Sequence, residues 1–332
     1  MRKIILILIL ISTNVFSQTD EQKKQWAKYD FVPGEKIIFE DNQYGEVSGD
    51  FPSRWNLEQG TGENSKSGDD NVISFGKSVN IIAPNMSSKS YLPEIFTLEL
   101  DMYFYNKRNE AYYVMFGKPG ELSIRLVEVK LGKYGGTPEG KSKEAGWHHI
   151  AISYNKGAMK VYMDEYRMIN IPDISGLEFF SIKALSHGAK SGEPAMIKNV
   201  RLAEGNLDIN KQVLTDGNII TRGILFDVNK STIKPESMGV INEIVKLMNN
   251  KTDLKFSVEG HTDSDGDEAA NQKLSEERSQ AVIDLMVSLG INKIRLLPKG
   301  WGESKPTDDN SSAEGKANNR RVEFINFNNY KK

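Results

Sequence analysis

The chain has 332 residues, more than one hydrophobic core usually organises, so two domains are expected. Charged residues make up 27% and hydrophobic residues 38%, the balance of ordinary globular protein, and a formal net charge of −2 without a strong basic patch argues against a nucleic-acid partner. The absence of cysteine excludes disulfides, thiol nucleophiles, thiolate metal sites and a lipidated N-terminal cysteine.

The first elements read as a targeting segment. Arg2 and Lys3 precede an aliphatic run at residues 4–11, which is too short to span a bilayer. Small and polar residues follow, with Ser17 and Gln18 at the cleavage point, so residues 1–18 are expected to be a secretory signal peptide removed between Val15 and Thr19. No later stretch is long and apolar, and the many ten-residue alternating segments of a membrane barrel are missing.

Residues 20–28 form a polar lead-in. From 29 to 205 the signals are strands and turns: residues 36–40, 95–104, 147–154 and 159–164 are strand candidates, with the turn 155–157 between the last two. Many short strands with glycine-rich turns predict an all-β antiparallel sandwich of the jelly-roll kind. Around Gln212 the periodicity changes, after a short polar linker at about 205–212 where few contacts need cross. The segment 213–328 reads as α/β, in the order βαβα with further strands. Ile224, Leu225 and Phe226 are the expected first strand. Pro235 opens a helix carrying Met238, Ile241, Val245 and Met248 at helical spacing. Leu254, Phe256 and Val258 alternate as a strand. A second helix carries Leu274, Ala281, Val282, Leu285 and Leu289 and stops at Gly290. Strand candidates at 294–297 and 322–327 follow.

Three short motifs punctuate this second unit: Gly260-His261-Thr262-Asp263, then Asn271 with Leu274-Ser275 and Arg278, then Asn319-Arg320-Arg321-Val322-Glu323. With Phe226-Asp227-Val228-Asn229 and Lys234-Pro235-Glu236 ahead of them, their order and spacing resemble the C-terminal domain of the OmpA family. The resemblance covers about a third of the chain. It implies a non-catalytic domain that binds peptidoglycan, in the periplasm of a Gram-negative bacterium and associated with its outer membrane. It also implies a ligand site: the positions of Asp263 and Arg278 grip diaminopimelate, and those of Asn229, Thr262, Asn271 and Arg320 line the pocket. The chemistry suits the assignment. Diaminopimelate ends in an ammonium and a carboxylate, so an aspartate can accept from the first and an arginine can fork two donors onto the second. Taken singly, Asp263 reads as a turn-ordering aspartate and Arg278 as a solvated helix residue. His261, the one histidine of this unit, reads as structural; no metal or cofactor is expected.

The first unit carries looser motifs. Trp147-His148-His149-Ile150 leading to Tyr154, then residues 159–164, and a closing strand at 197–203 resemble concanavalin A-like, laminin-G-type sandwiches. Such domains often bind carbohydrate, and some are glycosidases; the sandwich is expected to bind a glycan or an envelope protein, with a wall-targeted glycoside hydrolase as the alternative function. Hydrolases on this fold carry three carboxylates along one strand. Glu99 and Asp101 are present on one face, but Tyr103 and Phe104 stand where the third belongs. Glu99 and Asp101 are therefore expected to be solvated outer-face residues, and the sandwich to be silent catalytically. Adjacent His148 and His149 point to opposite faces and make a poor metal pair.

Overall fold

The structure is a computed structural model that describes residue 26 and residues 28–105, 110–186 and 193–327; the expected signal peptide lies outside the described residues. Among these, two antiparallel sheets of eight and seven strands form the first unit, and a four-stranded mixed sheet with helices forms the second. No helix of the described residues is long and apolar enough to cross a membrane.

Period-two alternation builds the sandwich. In the strand Ile95–Phe104, the residues Phe96, Leu98, Leu100, Met102 and Phe104 are buried against the opposite sheet. The strand Gly146–Asn155 pairs with it on one side and Met196–Glu204 on the other, both antiparallel. Between the sheets, Trp55 meets Phe39 and Phe180 edge to face, with ring centroids 5.4 and 6.3 Å away.

In the second unit the sheet order is Asn218–Thr221, Val322–Asn326, Phe256–Gly260, Leu296–Gly300, and the last two strands run parallel. Four helices accompany it: α1 (Ile209–Thr215), α2 (Met238–Asn250), α3 (Glu268–Ser288) and α4 (Ala313–Asn319). Pro235 lies in a 3-10 turn, Pro235–Ser237, that leads into α2. Asp267 caps α3 by accepting from the Ala270 N–H at 2.9 Å. Two expectations are corrected here, and one helix is added. Ile224, Leu225 and Phe226 form no strand; Phe226 makes one isolated bridge with Ile233, and the edge strand is Asn218–Thr221. The expected linker runs directly into α1 and is not a bare spacer, because Leu207, Ile209 and Val213 are apolar enough to be buried in the second core. Helix α4 sits in a polar stretch without helical periodicity and carries the start of the last motif.

The two units are not loosely joined. Tyr29, Phe31, Ala151 and Tyr162 belong to the same apolar core as α2 and the four-stranded sheet. Gly239 shows how close the approach is: a Cβ there would lie 1.7 Å from the Phe31 carbonyl oxygen. The strand Lys36–Asp41 has one sheet neighbour, and α4 covers its other edge. Asn318 accepts from the Ile37 N–H at 3.0 Å and donates to the Ile37 carbonyl at 3.1 Å, as a neighbouring strand would. The expectation of few crossing contacts is therefore overturned. So is the expectation that Glu99 and Asp101 are solvated. Glu99 is 2% exposed and the Asp101 side chain 13%, because the second unit packs over that face of the sheet.

Candidate functional site

The loop after Phe256–Gly260 is held by backbone bonds on every side. His261 N–H donates to the Arg321 carbonyl at 3.0 Å, Thr262 N–H to the Gly302 carbonyl at 2.9 Å, and Trp301 N–H to the Gly260 carbonyl at 2.9 Å. Gly260 lets α3 come close: a Cβ there would meet the Ser275 carbonyl oxygen at 2.4 Å. This contact sets α3, which carries Arg278, directly against the start of the loop that carries Asp263.

Asp263 is 8% exposed. Its Oδ1 accepts from the Asp265 N–H at 3.2 Å, and its Oδ2 accepts from Arg320 Nη1 at 2.6 Å. It therefore orders its turn and carries an ion pair as well. Arg320, at the C-cap of α4, extends its other terminal nitrogen to Glu40 Oε2 at 2.7 Å. Burial pulls the Arg320 pKa down, but Glu40 and Asp263 together raise it above its ordinary value.

Arg278 is placed differently. Its Nε donates to the Lys230 carbonyl at 3.0 Å, and its guanidinium lies 4.9 Å from the Phe226 ring centre. Among the described residues no carboxylate pairs with it. Burial, opposed by Asp263 and reinforced by Arg320, lowers its pKa to about 10. A guanidinium stays protonated at neutral pH, so Arg278 is a largely buried cation held by carbonyl and ring contacts.

Arg278 and Arg320 line a cavity of about 110 Å³ with Phe226, His261, Ile37 and Glu40. Arg201, Arg222 and Arg321 complete a wall rich in cations. That volume is several times the ~30 Å³ share of one water, room enough for a carboxylate. Arg222 feels the crowding: burial first, then Arg321 and Arg201, lower its pKa. His261 is pushed down to about 3 by burial, then by Arg321 and Lys305, and stays neutral.

Residues 225–320 match the OmpA family. This segment is an OmpA family domain. The chain is 46% identical over 101 residues to outer membrane porin F of Pseudomonas aeruginosa, an alignment covering 30% of this chain and 29% of that one. It is 36% identical over 102 residues to the outer-membrane lipoprotein YfiB of the same species, covering 31% of this chain and 61% of the relative. Among solved structures, the cell wall anchor of the T6SS from Pseudomonas aeruginosa is 30% identical, covers 32% of this chain and 78% of that chain, and superposes with a TM-score of 0.30.

The other expected site residues of the OmpA family domain take supporting places. Asn271 donates to the Asp265 carbonyl at 3.0 Å and to Glu303 Oε2 at 2.7 Å, which ties α3 to the loop. Thr262 is buried, and its Oγ1 finds no partner. Asn229 is exposed in a left-handed turn at φ 55°, one residue before the carbonyl that holds Arg278. Glu40, Ile37 and Arg201 were missed from the sequence. They come from the sandwich and reach the cavity only because α4 docks on the strand Lys36–Asp41.

Proposed function

We propose that this is a non-catalytic envelope protein whose OmpA family domain binds peptidoglycan non-covalently, by recognising diaminopimelate, and links it to the outer membrane or to a partner there. The observation that carries the proposal is Arg278. Its guanidinium faces the cavity without an ion pair among the described residues, while Asp263 stands one arginine away. A group bearing a carboxylate and an ammonium on one carbon suits this pair: Arg278 takes the carboxylate, and Asp263, already bonded to Arg320, takes the ammonium as a further partner. Arg320 lines the same cavity, whereas Asn229, Thr262 and Asn271 lie outside its lining and act through the loop and turn that carry Asp263 and hold Arg278. The outer-membrane names of the relatives support a place in the periplasm of a Gram-negative bacterium, at its outer membrane.

The sandwich, taken as a concanavalin A-like, laminin-G-type unit of jelly-roll topology, contributes a glycan or envelope-protein contact and no catalysis. Support comes from Tyr103 and Phe104. Phe104 is buried in the core and Tyr103 packs on Trp147, so neither position offers the acid of a retaining pair. Co-sedimentation of the parent, Asp263→Ala and Arg278→Ala with purified wall tests the binding role. Release of reducing sugar from that wall or from laminarin would establish the hydrolase reading instead.

A further inference from the structure

The face of the strand Ile95–Phe104 turned away from the sandwich core meets the turn Pro235–Ser237 at a cluster that wall binding does not use. Glu99 and Asp101 project from the strand, His149 stands opposite Asp101 on the neighbouring strand, and Glu236 enters from the turn. His149 Nδ1 lies 2.8 Å from Asp101 Oδ1 and 4.0 Å from Glu236 Oε1. One donor atom from each of Asp101, His149 and Glu236 lies within 4.8 Å of the others.

A second observation points to a ligand. The Glu99 side chain is 3% exposed, and its Oε1 has no hydrogen-bond partner; neither do His149 Nε2 and Glu236 Oε2. A single imidazole thus stands among three carboxylates. Even protonated, it supplies one charge and two N–H donors to six oxygens. Asn199 donates to Asp101 Oδ2 at 2.6 Å, and Lys234 adds a favourable field at Asp101. Negative charge still exceeds positive in a place where uncompensated charge is costly.

We propose that Asp101, His149 and Glu236 bind one divalent transition-metal ion of the zinc class, which ties the sandwich to the OmpA family domain. One imidazole nitrogen with two carboxylate oxygens suits Zn²⁺, whereas Ca²⁺ and Mg²⁺ take oxygen shells. In a tetrahedral site with bonds of about 2.0–2.2 Å, ligand atoms sit roughly 3.3–3.6 Å apart. The 2.8 Å separation is a hydrogen bond between the ring and Asp101, and no ligand pair exceeds 4.8 Å, so release of the proton in that bond and small side-chain adjustments close the site. Glu99 Oε2 lies 3.5 Å from His149 Nε2, placed to accept the other ring N–H, as the carboxylate behind a ligating histidine does. Asn199 orients Asp101 in the same way. The three ligands border a cavity of about 960 Å³, which gives the ion an entry path and leaves room for a water as fourth ligand.

Calorimetric titration of the metal-free full chain with ZnCl₂ tests this. One equivalent should bind, Co²⁺ should give the visible absorption of a tetrahedral site, and Glu236→Gln should weaken Zn²⁺ binding by at least about tenfold. Glu236 Oε2 has no hydrogen-bond partner, so this exchange removes charge while keeping shape. Absence of saturable Zn²⁺ binding to the parent overturns the proposal, and so does unchanged affinity in Glu236→Gln. Should that variant fail to fold, the ¹⁵N resonance of His149 Nδ1 in the parent decides: a shift on adding Zn²⁺ supports ligation there, and an unmoved resonance overturns it.

Discussion

Arg320 and Glu40 meet across the boundary between the two units, Nη2 to Oε2 at 2.7 Å, while the same guanidinium holds Asp263 at 2.6 Å. The sandwich therefore supplies an acid to the cavity of the OmpA family domain. Glu40→Ala leaves Arg320 with Asp263, so no buried cation is stranded. The expected loss is that of one hydrogen bond to a charged group, about 1.5 kcal/mol, read from urea unfolding of the whole chain. An unchanged midpoint would show that the pair does nothing to join the units.

Arg278→Ala and Asp263→Ala should each lose most co-sedimentation with diaminopimelate-type wall, with circular dichroism unchanged. Removing one member of a desolvated charge pair typically costs about 2–5 kcal/mol, more than one decade in affinity. Arg278→Lys should bind poorly as well, because an ammonium lacks the planar fork. Wall with lysine in place of diaminopimelate lacks the terminal carboxylate and should bind weakly to the parent. Parent-like sedimentation of folded Asp263→Ala and Arg278→Ala would sink the binding proposal.

Phe31 is 1% exposed and packs in the core of the second unit, although it lies some 180 residues before that unit begins. Phe31→Ala should destabilise the OmpA family domain by about 3–5 kcal/mol, the usual cost of deleting a buried phenylalanine. Hydrogen exchange of amides in α2 and in the strand Phe256–Gly260 is the readout. Unaltered protection there would mean that the domain holds its core without the N-terminal segment.

Asp101→Ala should be strongly destabilising, by about 3–5 kcal/mol, since it strips a buried partner from His149 and from the Asn199 amide. A solvated strand residue would cost within about 0.5 kcal/mol. Thermal unfolding of the variant separates the two values cleanly.

His261 sets a pH dependence with a definite sign. A histidine ordinarily titrates near 6.5, and burial, then Arg321 and Lys305, hold this one near 3. The unfolded chain takes up the proton as pH falls below 6.5, and the folded chain does not until about 3. Stability from this group is whole above pH 6.5 and drains away between 6.5 and 3. His261→Asn should flatten that part of the stability profile, and NMR should show the ring neutral at pH 5. A ring that titrates near 6.5 in the folded protein would refute this.

The motifs around Asp263, Arg278 and Arg320 were legible because a loop, a helix and a strand start each impose local residue choices at fixed spacing. The helices α2 and α3 announced themselves through periodicity and their stops, and the sandwich through alternation. Helix α4 did not, since its residues serve caps and contacts and bury little apolar surface. Alternation placed Glu99 and Asp101 together on one face of a strand, but it says nothing about what covers that face. The joining of Glu40 to Arg320, and of Glu236 to His149, was beyond the sequence for the same reason. Each pair is separated by tens to hundreds of residues, and no local rule links them. Only the docking of the OmpA family domain on the strand Lys36–Asp41 and on the outer face of Ile95–Phe104 brings these charges within reach, because Coulomb attraction and desolvation depend on distance in space rather than along the chain.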